Sequence, residues 1–325
     1  MIVESRETWS RIFTDVKVWK EMVEQICYEH RLVPAEKITV GHPGSNAVFV
    51  VDDAVVVKIF SPFSREWVAR ELEISQLLSS SRMLPVPKLL ASGLIKEEQD
   101  WPYIVTEMLP GERIGGIWEK VSYENRLAIA EHVGQLVRTL HNLPVSKVKS
   151  MDKSRRYWER FVETQVNSCV EYHCQKQSLP PHLLEHIPGY LLEAMPLFDG
   201  NFSPCIVNSD ITNDHILLSV RNDWWEITGF IDFGDVEMGH NEYEFVCVGL
   251  DLLACDMNLF RAFLKAYGYE GQIDEKFGKR MMAYSLLHRY IDFRPFIERL
   301  GGAEKIESLE ELQALLWNIG EDHVV

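Results

Sequence analysis

Apolar positions recur at roughly helical spacing through residues 8–31, which predicts one or two helices there. The texture then changes to short β-branched runs: Ile38 to Val40, Ala47 to Val51, and Ala54 to Phe60. His42 to Asn46 separates the first two runs and Asp52-Asp53 the last two, so the stretch reads as a meander with tight turns. Helical spacing returns over 64–80, with Ser64 as the expected N-cap. Pro85-Val86-Pro87 stops it. Leu89 to Leu94 and Tyr103 to Met108 predict two more strands around a charged turn at 96–100.

Leu109-Pro110-Gly111 marks a break in texture. Beyond it, 123–142, 152–177 and 182–195 are amphipathic at helical period, the last following Pro180-Pro181. Residues 205–232 interrupt with strand-like runs, and 242–325 read as mostly helical. The expected organisation is a sheet-based lobe over 1–108, which includes extra helices at 8–31. A helical lobe over 109–325 follows, with an insert at about 152–200. The fold class is therefore α+β. There is no internal repeat and no low-complexity tract.

Composition narrows the partners. The 325 residues carry 33 Lys+Arg against 49 Asp+Glu, a net charge of −16. That balance argues against a protein that grips phosphate backbones, so no nucleic-acid partner is expected, and it suits a cationic ligand. Hydrophobic residues make up 46% and charged residues 25%, which excludes a disordered or collagen-like chain. No apolar run approaches the ~20 residues that span a bilayer, so no membrane is expected. The start, MIVESRETWS, has charges where a secretion signal would be apolar. A cytoplasmic protein, monomer or dimer, is the expectation. The six cysteines are scattered, as suits idle thiols in a reducing compartment.

The chemistry concentrates in Cys205 to Asp235. Ile216 to Val220 and Glu226 to Ile231 are strand runs, and Arg221-Asn222-Asp223 between them is turn chemistry. Pairing them as a hairpin brings His215 and Asp232 to one end, and Asp210 lies on the loop just before. Two carboxylates and an imidazole at one hairpin mouth suit a divalent cation and a transferring phosphoryl group.

This segment resembles the catalytic loop and metal-binding strand of the aminoglycoside phosphotransferase family, relatives of protein kinases. The family loop reads H-G-D-x-x-x-x-N and its hairpin ends in I-D-[FW]-G-[DE]. The resemblance implies that Asp210 is the catalytic aspartate and that Asp232, within Ile231-Asp232-Phe233-Gly234-Asp235, holds Mg²⁺. It also implies a two-lobed kinase-like fold using ATP or GTP. Asn208 and Ser209 replace the usual His-Gly, and His215 replaces the metal-binding Asn. Macrolide phosphotransferases tend to carry His there too. His215 reads equally well as a metal-shell group or as a buried histidine donating to a carbonyl.

The amino-terminal half is similar to the same scheme. Lys58 ends a run like the kinase V-A-I-K strand, whose lysine holds the nucleotide phosphates. Glu71, on the helix that follows, matches its glutamate partner, with Glu73 as the rival. The turn Gly41 to Asn46 would cover the phosphates with backbone N–H groups and the Ser45 hydroxyl. Asn46 closes that turn. Glu107 and Met108 fall where the family hinge meets the adenine edge. His141 ends a helix like the family's L-H-x-L, and Glu244 takes a position that is structural in relatives. No arginine beside Asp210 would read a phosphorylated activation loop, and the interval from Asp232 to Glu244 is too short for one. The expected activity is transfer of a γ-phosphoryl to a small-molecule hydroxyl.

An aminoglycoside-type antibiotic is the expected acceptor, on carboxylates such as Asp214, Glu242 and Glu163. Glu159, Glu171, Asp251 and Asp256 are further candidates. Tyr157, Trp158, Phe161 and Tyr172 in the insert would suit a more apolar acceptor. A macrolide, metabolite or protein acceptor, or an inactive nucleotide-binding protein, are the rivals.

Overall fold

The structure is a computed structural model, and it describes residues 2–42, 44–302 and 306–318. Pro43 of the predicted phosphate turn, and 303–305 and 319–325 of the predicted carboxy-terminal helices, lie outside the described residues.

Two helices open the chain, α1 (Arg6–Ile12) and α2 (Val16–Glu29). Ser5 and Asp15 cap them by accepting from the N–H groups of Thr8 and Lys17. A five-stranded antiparallel sheet follows: β1 (Ile38–Val40), β2 (Ala47–Val51), β3 (Val55–Ile59), β4 (Leu89–Lys96) and β5 (Asp100–Glu107), in spatial order β1-β2-β3-β5-β4. Asp52 and Asp53 both take φ of 52° in the three-residue β2–β3 connection, a left-handed conformation that aspartate tolerates better than most residues.

The period-2 alternation of strands decides what the sheet faces. Ala47, Phe49, Val51, Val55, Val57 and Ile59 are buried against Trp9, Trp19, Val23 and Ile26 of α1 and α2. Their alternates Val48, Val50, Val56, Lys58, Ile104 and Thr106 face the opposite way and line a cleft. The extra amino-terminal helices therefore cover the back of the sheet, and strand parity puts Lys58 on the cleft side.

Helix α3 (Arg65–Ser79) follows β3 in sequence. Ser64 stands at its N-cap position without a side-chain bond to the helix, in contrast to the expectation. Ile74, Leu77 and Leu78 of α3 join the larger hydrophobic cluster below the sheet rather than the one behind it. The helix packs on β4 and β5 of the small lobe while its apolar face joins the core of the large one.

Gly111 sits at φ +131°, and a side chain there would meet the Leu218 carbonyl at 2.9 Å, so the chain leaves the sheet through a position that favours glycine. The larger lobe contains β6 (Glu112–Arg113), α4 (Ile114–Ile117), α5 (Tyr123–His141), α6 (Arg155–Lys176), α7 (Pro181–Leu184) and α8 (Ile187–Ala194). Strands β7 (Cys205–Val207), β8 (Ile216–Arg221), β9 (Trp224–Phe230) and β10 (Glu237–Gly239) come next. Helices α9 (Asn241–Cys247), α10 (Met257–Tyr267), α11 (Glu275–Leu287), α12 (Arg294–Arg299) and α13 (Leu309–Leu316) complete it. The β8–β9 hairpin turns at Asn222-Asp223, φ 51° and 61°, and aligns Ile216 with Phe230. The architecture is two-lobed, a small antiparallel-sheet lobe on a larger helical one. Among the described residues, no helix is long and apolar enough to cross a membrane.

Candidate active site

A cleft of about 1280 Å³ lies between the sheet and the β8–β9 hairpin. Lys58 reaches it from β3. Its Nζ donates to Glu71 Oε1 of α3 at 2.6 Å and lies 3.8 Å from Asp232 Oδ1. Burial works against the ammonium charge, but Glu71 and Asp232 outweigh it and hold the lysine well above its ordinary pKa. Glu73 points elsewhere: Oε2 accepts from the backbone N–H groups of Lys149 and Ser150 at 2.7 and 2.8 Å. Two residues on a helix are about 200° apart, which separates the two glutamates.

The hairpin does what its pairing predicts. Ile231 N–H donates to the His215 carbonyl at 2.9 Å, so His215 and Asp232 meet at its open end. His215 Nε2 is 3.9 Å from Asp232 Oδ2. Its Nδ1 bonds the backbone carbonyl of Asp210 and lies 3.0 Å from Thr212 Oγ1. One nitrogen therefore fastens the Asp210 loop and the other faces Asp232. A proton on Nδ1 leaves Nε2 as the lone-pair nitrogen of the neutral ring.

Asp232 adopts φ +60°, a left-handed conformation that aspartate tolerates better than most residues. Lys58 draws its carboxyl below the ordinary value, helped by His215 and the Gly234 N–H. Asp210 goes the other way. Burial pushes it up to about 7, with Asp235, Asp232 and Asp251 adding to the rise and His215 opposing it. Two carboxyl groups in one cleft are thus driven apart in acidity, the pattern of an anchoring anion beside a base poised near neutrality.

The departures in the loop have a structural account. Asn208 Nδ2 donates to the Asp232 carbonyl at 3.0 Å, and Asn208 Oδ1 accepts from the Asp210 N–H at 3.2 Å. This one side chain ties both aspartate backbones together. Glu244 of α9, fully buried, accepts from the N–H groups of Asn208 at 2.5 Å and Ser209 at 3.1 Å. His141 Nε2 lies 3.6 Å from Glu244.

Around the phosphate turn, Ser45 and Asn46 line the cleft, as do Glu107, Met108, Asp214, Asp235 and Asp251. Asn46 Oδ1 accepts from Ser61 N–H at 2.9 Å. His42 Nε2 lies 3.5 Å from Asp214 Oδ2. The N–H groups of Glu107 and Met108 are already bonded, to the carbonyls of Lys88 at 3.0 Å and Ala54 at 2.8 Å. That leaves these two residues their carbonyl oxygens to offer a purine edge.

Of the expected acceptor carboxylates, Asp214 and Asp251 line the cleft, whereas Glu159, Glu163, Glu171, Glu242 and Asp256 stand outside it. Glu242 is buried beside Arg280, which donates to it at 2.9 and 3.0 Å, and beside the Tyr269 hydroxyl at 2.5 Å. Glu163 is exposed on α6. No described residue of 152–200 lines the cleft. Tyr157 of α6 instead donates to Glu237 Oε2 at 2.5 Å, and Trp158 and Phe161 stack together against Tyr243. Arg6, Trp67 and Tyr290 line the cleft and were missed. They come from three distant segments that no local pattern links.

A divalent ion here fits the donor set. The Asp232 side chain is 48% exposed, with a nitrogen of His215 beside it, and magnesium typically takes one or two carboxylates plus phosphate oxygens. Among the described residues, no three His, Cys, Asp or Glu side chains are grouped to hold a metal by themselves.

Comparisons with known proteins bear on this geometry. The GDP complex of aminoglycoside 2′-phosphotransferase-IIIa is 17% identical, with a TM-score of 0.67 over 91% of this chain and 98% of that one. The streptomycin–ATP complex of APH(2″)-IIa is 19% identical, with a TM-score of 0.59 over 88% and 91%. These likenesses show the fold. Lysine-specific demethylase JMJ21 of Arabidopsis thaliana is 20% identical over 363 residues, an alignment covering 79% of this chain and 38% of that protein. This chain thus spans well under half the length of that curated relative. The sequence pattern of the phosphotransferase enzyme family matches residues 38–279. Since that span runs from β1 into α11 and takes in the sheet, α3, the Asp210 loop and the Asp232 hairpin, the chain belongs to the phosphotransferase enzyme family.

Proposed function

We propose that this protein transfers the γ-phosphoryl of ATP or GTP to a hydroxyl of a small molecule, with an aminoglycoside-type antibiotic as acceptor and resistance to it as the consequence. The observation that carries the reading is the convergence of the Lys58–Glu71 pair and Asp232 in one cleft that Asp210 also lines.

Lys58, charged and directed by Glu71, binds and orients the phosphates. Asp210 hydrogen-bonds the acceptor hydroxyl, aims it at the γ-phosphorus and takes its proton as the new P–O bond forms and the bond from that phosphorus to the β–γ bridging oxygen breaks, releasing the nucleoside diphosphate. Asp232, with His215, would hold Mg²⁺, which when bound supplies positive charge against the phosphate oxygens. Asp214, Asp235 and Asp251, all lining the cleft, favour a cationic acceptor over an anionic one.

A second reading has its own support. Trp67 and Tyr290 give the cleft an aromatic element, which suits a less charged acceptor such as a macrolide or a metabolite.

The test is turnover of ATP and GTP with Mg²⁺ on a panel of aminoglycosides, macrolides and neutral sugar alcohols, with products weighed by mass spectrometry. A phosphorylated aminoglycoside is the expected product. Nucleotide binding without a phosphorylated product from any acceptor would favour an inactive nucleotide-binding protein.

A further inference from the structure

Trp9 of α1 is 6% exposed and sits in a cluster of rings, 5.7 Å from Trp19 and 6.2 Å from Trp101 between centroids. Its indole Nε1 donates to the carbonyl of Ser45 at 2.9 Å. Trp9 is 36 residues from Ser45 in sequence, and the bond crosses from the helices behind the sheet to the turn at its open edge.

The peptide group is planar and trans, so the Asn46 N–H points opposite to the Ser45 carbonyl. With that carbonyl turned back to Trp9, the Asn46 N–H is turned the other way, and Ser45 and Asn46 both line the cleft. An N–H facing inward attracts phosphate oxygens, whereas a carbonyl facing inward repels them. Flipping this peptide would strand the indole N–H of a buried tryptophan, which costs free energy. The neighbouring attachment, Asn46 Oδ1 to the Ser61 N–H, fixes the far side of the same peptide.

We propose that Trp9 is a positioning residue for the nucleotide: it fixes the Ser45–Asn46 peptide so that the Asn46 N–H is presented to the phosphates. The amino-terminal helices, which cover the sheet, thereby also set the polarity of the phosphate turn. This rests on the reading of the cleft as a nucleoside triphosphate site.

The test compares Kd values of the wild-type protein and Trp9→Phe for Mg·ATP and Mg·GTP with those for adenosine and guanosine, by calorimetry. Phenylalanine keeps an aromatic ring and loses the N–H. The expected result is binding of the preferred triphosphate weakened about tenfold with nucleoside binding unchanged. Replacing Trp9 with 3-benzothienylalanine, which keeps the double ring and lacks only the N–H, gives the same readout if the phenylalanine variant folds poorly. Unchanged triphosphate affinity in the variants overturns the proposal, and so does an equal loss for nucleoside and triphosphate, which would mean general loosening. A wild-type protein that binds neither triphosphate overturns both this proposal and the reading of the cleft, and is distinguished by failing before any substitution is made.

Discussion

Arg70 of α3 and Glu237 of β10 form an ion pair of 3.0 Å between the two lobes. Glu237 is 2% exposed; it also takes Arg289 at 2.8 Å and the Tyr157 hydroxyl. Arg70 Nη1 reaches the Val236 carbonyl as well, at 3.1 Å. Glu71 is the next residue along α3, so the pair that braces this helix also sets where the partner of Lys58 stands. Replacing Glu237 with Ala leaves two largely buried guanidinium groups without their carboxylate. The expected loss is about 3–5 kcal/mol, read from urea unfolding. A loss under about 1 kcal/mol would mean the pair carries little of the interlobe contact.

Asp210 can take a proton only when ionised, and its carboxyl sits at about 7. Under the proposed mechanism, kcat/KM rises with pH and levels off above that value. Asp210→Ala lowers kcat by roughly 10²–10⁴ with nucleotide Kd nearly unchanged. A flat profile across neutral pH, or full activity in the variant, contradicts the proposed role.

The same carboxyl makes a stability prediction. In the unfolded chain it titrates near 3.8 and in the folded one near 7, so between these values the folded state binds more protons. Wild-type stability therefore falls as pH rises through that window. Asp210→Asn, which carries no charge, should melt higher than wild type at about pH 8 and show no such gain at about pH 4. A melting difference independent of pH would show that Asp210 is not the titrating group.

Glu244 holds the backbone N–H groups of Asn208 and Ser209, and Ser209 stands at φ +69°. Glu244→Gln replaces one accepting oxygen by a donor that faces an N–H. The expected cost is about 1–3 kcal/mol together with a drop in kcat larger than any change in nucleotide KM. Equal changes in kcat and KM would point to general disorder in place of a misplaced Asp210.

Much of the nucleotide side was legible because it depends on local periods. Strand alternation assigns Lys58 to the cleft face, the 3.6-residue period distinguishes Glu71 from Glu73, and a two-residue turn at Asn222-Asp223 fixes how His215 meets Asp232. The acceptor side depends on how long helices roll against one another, which no local pattern reports. Glu242 follows the N-cap His240, whose ring accepts from its N–H, and α9 then turns it toward Arg280 of α11. The insert was expected near the acceptor, but α6 spends Tyr157, Trp158 and Phe161 on Glu237, Tyr243 and Arg289. Arg6, Trp67 and Tyr290 carry no signal in their own neighbourhoods, since the cleft they line is assembled from segments far apart in sequence.

The anion gripped by Arg70 and Arg289 is a carboxylate of the chain itself. It arrives with translation, needs no upstream enzyme to install it, and offers a phosphatase nothing to remove. Helix α3 is therefore held by the protein's own charges from the moment of folding.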